Sequence, residues 1–215
     1  MFKAATVVAK KPFSASVGER LGTALLEELG QPPSACWLLT APSHELKELL
    51  QGVVRSLGTD NLVGCTTDGE ISTMGLSTGS AVLCGVATDQ VEFHFAAAHG
   101  LGKDSEGAGK NLGEQFPSTI SCVHMFSDGL TGNGCAILRG LGSAIGARVP
   151  VVGGTSGDAG EFRKTWQFLG SEVLTDSVVA VGFSGDLAVG TGVRSGWSPI
   201  GIAKKVTKAR GNVIY

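Results

Sequence analysis

The chain has 215 residues, 42% hydrophobic and 17% charged, enough for a sizeable core in one large domain or two small ones. Its formal net charge of −2 leaves no electrostatic footprint for nucleic acid or an anionic membrane, and no apolar run approaches the roughly 20 residues that a membrane helix needs. Its 33 glycines are about double the usual share of roughly 7% and follow no Gly-X-Y period, which excludes a collagen-like chain and predicts tight turns and close backbone approaches.

Residues 4–9 read as a first strand and not a signal peptide, because Lys10 and Lys11 follow the apolar stretch instead of preceding it. A helix over about 14–29 carries the stripe Leu21, Leu25, Leu26 and Leu29, with Ser14 or Ser16 as cap and Gly30 as stop. A short strand at 36–40, a helix capped by Ser43 with an apolar stripe from Leu46 to Leu57, and a strand at 62–65 follow. Segments 80–87 and 91–97 alternate with period two and read as an antiparallel pair turning at Asp89-Gln90. The order then recurs: helix at about 105–116, strand 121–126, helix at about 133–145, strand 150–153, and strands near 165–169, 172–174, 178–183 and 188–193.

That recurrence is visible in the residues themselves. The loop Val63-Gly64-Cys65-Thr66-Thr67-Asp68-Gly69-Glu70 returns, with two residues inserted, as Val152-Gly153-Gly154-Thr155-Ser156-Gly157-Asp158-Ala159-Gly160-Glu161. Ser80, Val82, Gly85 and Asp89 recur 97 positions later as Ser177, Val179, Gly182 and Asp186. A period near ninety residues is too long for a solenoid and reads as a doubled half-domain. The expected fold is an α/β layered sandwich of mixed β-sheets with outer helices, built from two duplicated half-units at about 1–102 and 103–201 that share one core. The five cysteines, Cys36, Cys65, Cys84, Cys122 and Cys135, are odd in number and form no Cys-x-x-Cys pair, which points to a reduced, cytoplasmic protein. The end of the chain, where a strand and the Gly211-Asn212 turn lead into a second strand, reads as unfinished and predicts a further domain.

The paired glycine-rich loops are the candidate ligand site. Gly64, Cys65, Thr66, Asp68 and Glu70 in one loop face Gly153, Gly154, Thr155, Ser156 and Asp158 in the other. Both loops follow strands, where backbone amides can converge on an anion while acidic side chains receive an ammonium. An amino acid needs both. The same residues also suit tight turns with capping acids. Ser127 and Asp128, at a strand end before a helix that Asn133 or Thr131 can cap, supply a third wall, and Trp197 either stacks on a ligand or plugs the core. Arg139 suits either a ligand carboxylate or a solvated helix face. No catalytic constellation emerges: Gly154-Thr155-Ser156-Gly157 lacks the Gly-x-Ser-x-Gly pattern, 107–111 is not a P-loop, and no Cys/His spacing fits tetrahedral zinc.

The motifs Val63–Glu70, Phe126-Ser127-Asp128-Gly129-Leu130, Val151–Asp158 and Gly196-Trp197-Ser198-Pro199-Ile200-Gly201, with Val206-Thr207-Lys208-Ala209, resemble in this order the N-terminal domain of the FIST (F-box and intracellular signal transduction) proteins. The resemblance covers nearly the whole chain. It implies a non-enzymatic sensory module of a signalling protein that binds a small ligand such as an amino acid, partnered by a C-terminal FIST domain or a downstream protein. It also implies two alternatives. One is a haem-based nitric oxide sensor, for which His94 or His124 would be the axial ligand; the other is a ligand-free protein-interaction module.

Overall fold

The first half of the chain runs β1 (Phe2–Lys10), α1 (Ala15–Leu29), β2 (Ala35–Thr40), α2 (Leu46–Leu57), β3 (Leu62–Thr66), the hairpin β4 (Glu70–Ser72) and β5 (Gly75–Ser77), and β6 (Ser80–Thr88). The second half repeats the plan as β7 (Glu92–His99), α3 (Ser105–Glu114), β8 (Ile120–Ser127), α4 (Gly134–Ile145), β9 (Val151–Thr155), the hairpin β10 (Gln167–Leu169) and β11 (Glu172–Leu174), and β12 (Ser177–Ser184). A small hairpin, β13 (Ala209–Arg210) with β14 (Val213–Ile214), completes the computed structural model, which describes residues 1–194, 196–210 and 213–215. The predicted Gly211-Asn212 turn lies outside the described residues. No helix among them is long and apolar enough to cross a membrane.

The strands form two large sheets, ordered β1-β6-β2-β3-β10-β11 and β7-β12-β8-β9. Within each, the crossover pair (β2 with β3, β8 with β9) is parallel, and β6 or β12 enters antiparallel between the first two strands. Period-two alternation then sorts the side chains. On β2, Cys36 and Leu38 face a core shared with α1 and α2, while Trp37 and Leu39 face the other sheet. On β12, Val178 and Ala180 face α3 and α4, while Val179, Val181 and Phe183 meet Trp37, Val63 and Cys65 between the sheets. The result is the expected α/β sandwich in four layers, helices outside and two mixed sheets within.

The expected pairing of 80–87 with 91–97 does not occur. β6 pairs with β1 and β2, whereas β7 pairs with β12, so the turn at Asp89-Gln90 carries the chain from one sheet to the other. β6 is apolar on both faces and buried between two layers, while β7 turns Phe93, Phe95 and Ala97 to the core between the sheets, so each is a sheet strand in its own right. Since β7 corresponds to β1, the half-units meet at this turn and not near residue 102. The strand expected at 188–193 is absent, as those residues have no regular structure. Ser14 is the cap of α1 and Asn133 that of α4, but Glu45 and not Ser43 stands at the start of α2.

Glycine sets how closely the layers approach. A Cβ on Gly18 would lie 2.1 Å from the carbonyl oxygen of Leu49, and one on Gly109 would lie 2.1 Å from that of Ile137. The α1–α2 and α3–α4 pairs are thus in backbone contact at corresponding places, which no larger residue permits.

Candidate functional site

Strands β3 and β9 run into the two glycine-rich loops, and the loops meet. The Gly157 amide donates to the Thr66 carbonyl at 2.8 Å, and the Gly160 amide donates to Asp68 Oδ1 at 3.2 Å. The duplicated segments therefore touch one another directly at these two hydrogen bonds.

Most of the polar groups in these loops are engaged by the fold itself. The buried Glu70 carboxylate accepts from Thr67 Oγ1 at 2.7 Å, from Ser80 Oγ at 2.6 Å and from the Ser80 amide at 3.1 Å. Asp128 accepts the amides of Leu130, Thr131 and Asp176. Asp158 accepts those of Phe162, Arg163 and Lys164, all within 3.1 Å. Burial alone would raise the Asp158 pKa, but these amides outweigh it and hold the carboxyl below its ordinary value. Thr66 Oγ1 accepts from the Trp166 amide. Ser156 Oγ donates to the Ser127 carbonyl at 3.0 Å and accepts from Gln167 Nε2 at 2.9 Å, so its one proton is committed to the fold. Burial pushes the neighbouring Cys65 thiol up to about 12 and keeps it protonated.

The glycines divide in the same way. Gly64 and Gly153 are packing positions, since a Cβ at either would lie 1.9 Å from the carbonyl of Leu38 or Met125. Gly154 and Thr155 are exposed on β9, and Trp197 is exposed in the segment after β12. Arg139 pairs with Glu106 at 3.2 Å on the helix surface. His94 Nε2 lies 3.1 Å from Ser184 Oγ. His124 sits between the sheets, its ring 4.7 Å from that of Phe126 and 6.2 Å from that of Trp37, and burial lowers its pKa.

An open groove of about 530 Å³ lies on the outer side of the second loop, lined by Lys11, Pro42, Ser43, His44, Asp158, Ala159, Glu161, Arg163, Lys164 and Trp166. Of the loop acids singled out in the sequence, Asp158 and Glu161 reach it. The lining residues come from three separate places: the end of β1, the turn between β2 and α2, and the excursion from Thr155 to Gln167. Lys11 Nζ donates to the Pro42 carbonyl, Arg163 lies 3.8 Å from Glu161, and Lys164 Nζ stands 5.6 Å from the Trp166 ring centre. With Asp158 already engaged by amides and Glu161 paired with Arg163, the three cations Lys11, Arg163 and Lys164 outnumber the acids at the opening beside an aromatic plate, a composition suited to an anionic group. Among the described residues, no cluster of three or more His, Cys, Asp or Glu side chains is placed to hold a metal ion.

The sequence signal for the groove was the length of the second loop. Hairpin β4–β5 pairs Glu70 with Ser77 and Ile71 with Leu76, and β10–β11 pairs Gln167 with Leu174 and Phe168 with Val173, each 97 positions on. The counterpart of Glu70 is therefore Gln167 and not Glu161. Residues 67–69 bridge β3 and β4, while residues 156–166 bridge β9 and β10. The apparent two-residue insertion is a longer excursion, and it brings Arg163 and Lys164 to the groove.

A family model described as the FIST N domain matches residues 34–215. An uncharacterised protein of Methanocaldococcus jannaschii is 27% identical over 183 residues, covering 80% of this chain and 35% of that protein. The chain thus spans about a third of the length of this relative. A cyanuric acid hydrolase from A. caulinodans superposes with a TM-score of 0.41 at 10% identity, over 93% of this chain and 69% of the hydrolase.

Proposed function

The chain belongs to the FIST N domain family, which is associated with signalling, and we propose that it is the small-ligand sensory domain of a signal transduction protein. The ligand is an amino acid or a similar small carboxylate. The observation that carries this reading is the groove of about 530 Å³ that Lys11, Arg163, Lys164 and His44 line together with Trp166. Arg163 and Lys164 take the carboxylate, Glu161 takes an ammonium, and Trp166 covers the apolar part. Binding holds the long second loop, and the Gly157–Thr66 and Gly160–Asp68 hydrogen bonds pass that order to the first half-unit.

The test is a thermal-shift screen against amino acids and small carboxylates, repeated on an Arg163→Ala/Lys164→Ala variant. A ligand at a hundred times its dissociation constant adds about 2.7 kcal/mol and raises the melting temperature, and the double variant loses that gain. No stabilisation by any compound, or stabilisation unchanged in the double variant, overturns the reading.

A further inference from the structure

The two half-units differ at one seat. In the first sheet, the outer edge of β3 is covered by β10, which crosses from the second half-unit and pairs Gln167 with Cys65, Phe168 with Gly64 and Leu169 with Val63. Phe168 is thereby buried in the core under α1 and α2, in the same cluster as the fully buried Leu50 of α2. The corresponding strand of the second sheet, β9, ends that sheet with no strand paired on its outer edge among the described residues. Its Gly153, Gly154 and Thr155 are exposed, where every residue of β3 is buried. A Cβ on Gly52 or Gly140 would lie 2.0 Å from the carbonyl oxygen of Ala15 or Glu106, so the two glycines hold corresponding places and the helix equivalent of Leu50 is Leu138, which is 48% exposed.

The element that corresponds to the covering hairpin is β4–β5. Its ladder repeats that of β10–β11 residue for residue, with Ile71 in the place of Phe168 and Leu76 in the place of Val173. Both are 74% exposed, Met74 between them is exposed as well, and among the described residues the second edge of β4 pairs with no strand. A vacant edge with an uncovered leucine and an unpaired hairpin with bare apolar residues are complementary surfaces on one molecule. The hairpin is not free to fill the seat of its own chain. Only residues 67–69 tether it to β3, and leaving its position would strip the buried Glu70 carboxylate of Ser80 and Thr67.

We propose that the β9 seat receives the β4–β5 hairpin of a second copy of this chain, in the antiparallel register that β10 uses on β3, giving a reciprocal dimer. Glu70 then lies opposite Gly154, Ile71 opposite Gly153 and Ser72 opposite Val152 of the partner. An interface in which each copy gives the same hairpin and offers the same seat is self-complementary, as a closed twofold dimer requires.

Light scattering across about 1 μM to 1 mM, the span of reversible specific association, gives the oligomeric state. The expected result is a dimer for the unaltered chain and a monomer for Ile71→Asp and for Leu138→Asp, each with unchanged circular dichroism because both residues are exposed in the single chain. Oxidation of a Ser72→Cys/Val152→Cys variant in a Cys135→Ser background yields a covalent dimer. A chain that stays monomeric throughout, a dimer that survives both aspartate variants, or a Ser72–Val152 disulfide that closes within one chain overturns the proposal.

Discussion

The amide of Gly157 donates to the carbonyl of Thr66 at 2.8 Å and so ties the loop after β9 to the end of β3 in the opposite sheet. A Cβ on Gly157 would lie 2.5 Å from Asp68 Oδ1 and 2.8 Å from the Asp68 amide nitrogen. The side chain can move but the backbone cannot. Gly157→Ala is expected to cost about 1–3 kcal/mol, the usual penalty of overpacking, while Gly154→Ala, whose added Cβ meets nothing within 4 Å, stays near neutral. Urea denaturation of the two variants compares them directly.

Helix glycines divide along the same line. Gly52→Ala and Gly140→Ala each place a Cβ 2.0 Å from a carbonyl oxygen of the partner helix, and both should open the helix pair with large losses of stability. Gly142→Ala meets no atom closer than 4.0 Å and lies inside α4, where alanine stabilises by about 0.5–1 kcal/mol. Thermal melts that ranked the three variants alike would contradict this account of the packing.

Asp158 predicts a pH dependence. Its folded pKa is depressed, so its contribution is full above the unfolded carboxylate value of about 4 and is lost as pH falls through the lower folded value. Asp158→Asn should therefore lower the melting temperature at neutral pH, and the gap from the unaltered protein should close only in strong acid. A gap that closed between pH 5 and 7 would assign the effect to another group.

Thiol reactivity should follow burial. Cys36 and Cys65 are buried, and burial pushes both thiols up to about 12, while Cys135 is exposed at the start of α4. Under native conditions iodoacetamide should modify Cys135 first and leave Cys36 and Cys65 untouched until the protein unfolds. Mass spectrometry of a timed reaction reads the order.

The alternation of apolar residues and the Ser80/Ser177 recurrence were sufficient to specify two copies of one strand–helix plan, because local periodicity and repeat spacing are properties of neighbouring residues. The excess of glycine foretold close backbone contact, which Gly18 and Gly109 realise. The acids and hydroxyls of the paired loops were legible as polar loop residues, but not as ligands to backbone amides. Whether Glu70 faces water or Ser80 depends on where β6 begins in space.

The α/β class, the duplication and most helix ends were thus legible in the residues alone, since each rests on interactions within a few turns of chain. Long-range packing sends β6 and β7 into different sheets, carries β10 across to β3, and brings Lys11, His44 and Arg163 to one groove. Those outcomes turn on which apolar faces bury one another across long separations. They also turn on the length of residues 156–166, which lets one hairpin reach the other half-unit while residues 67–69 hold its twin at home.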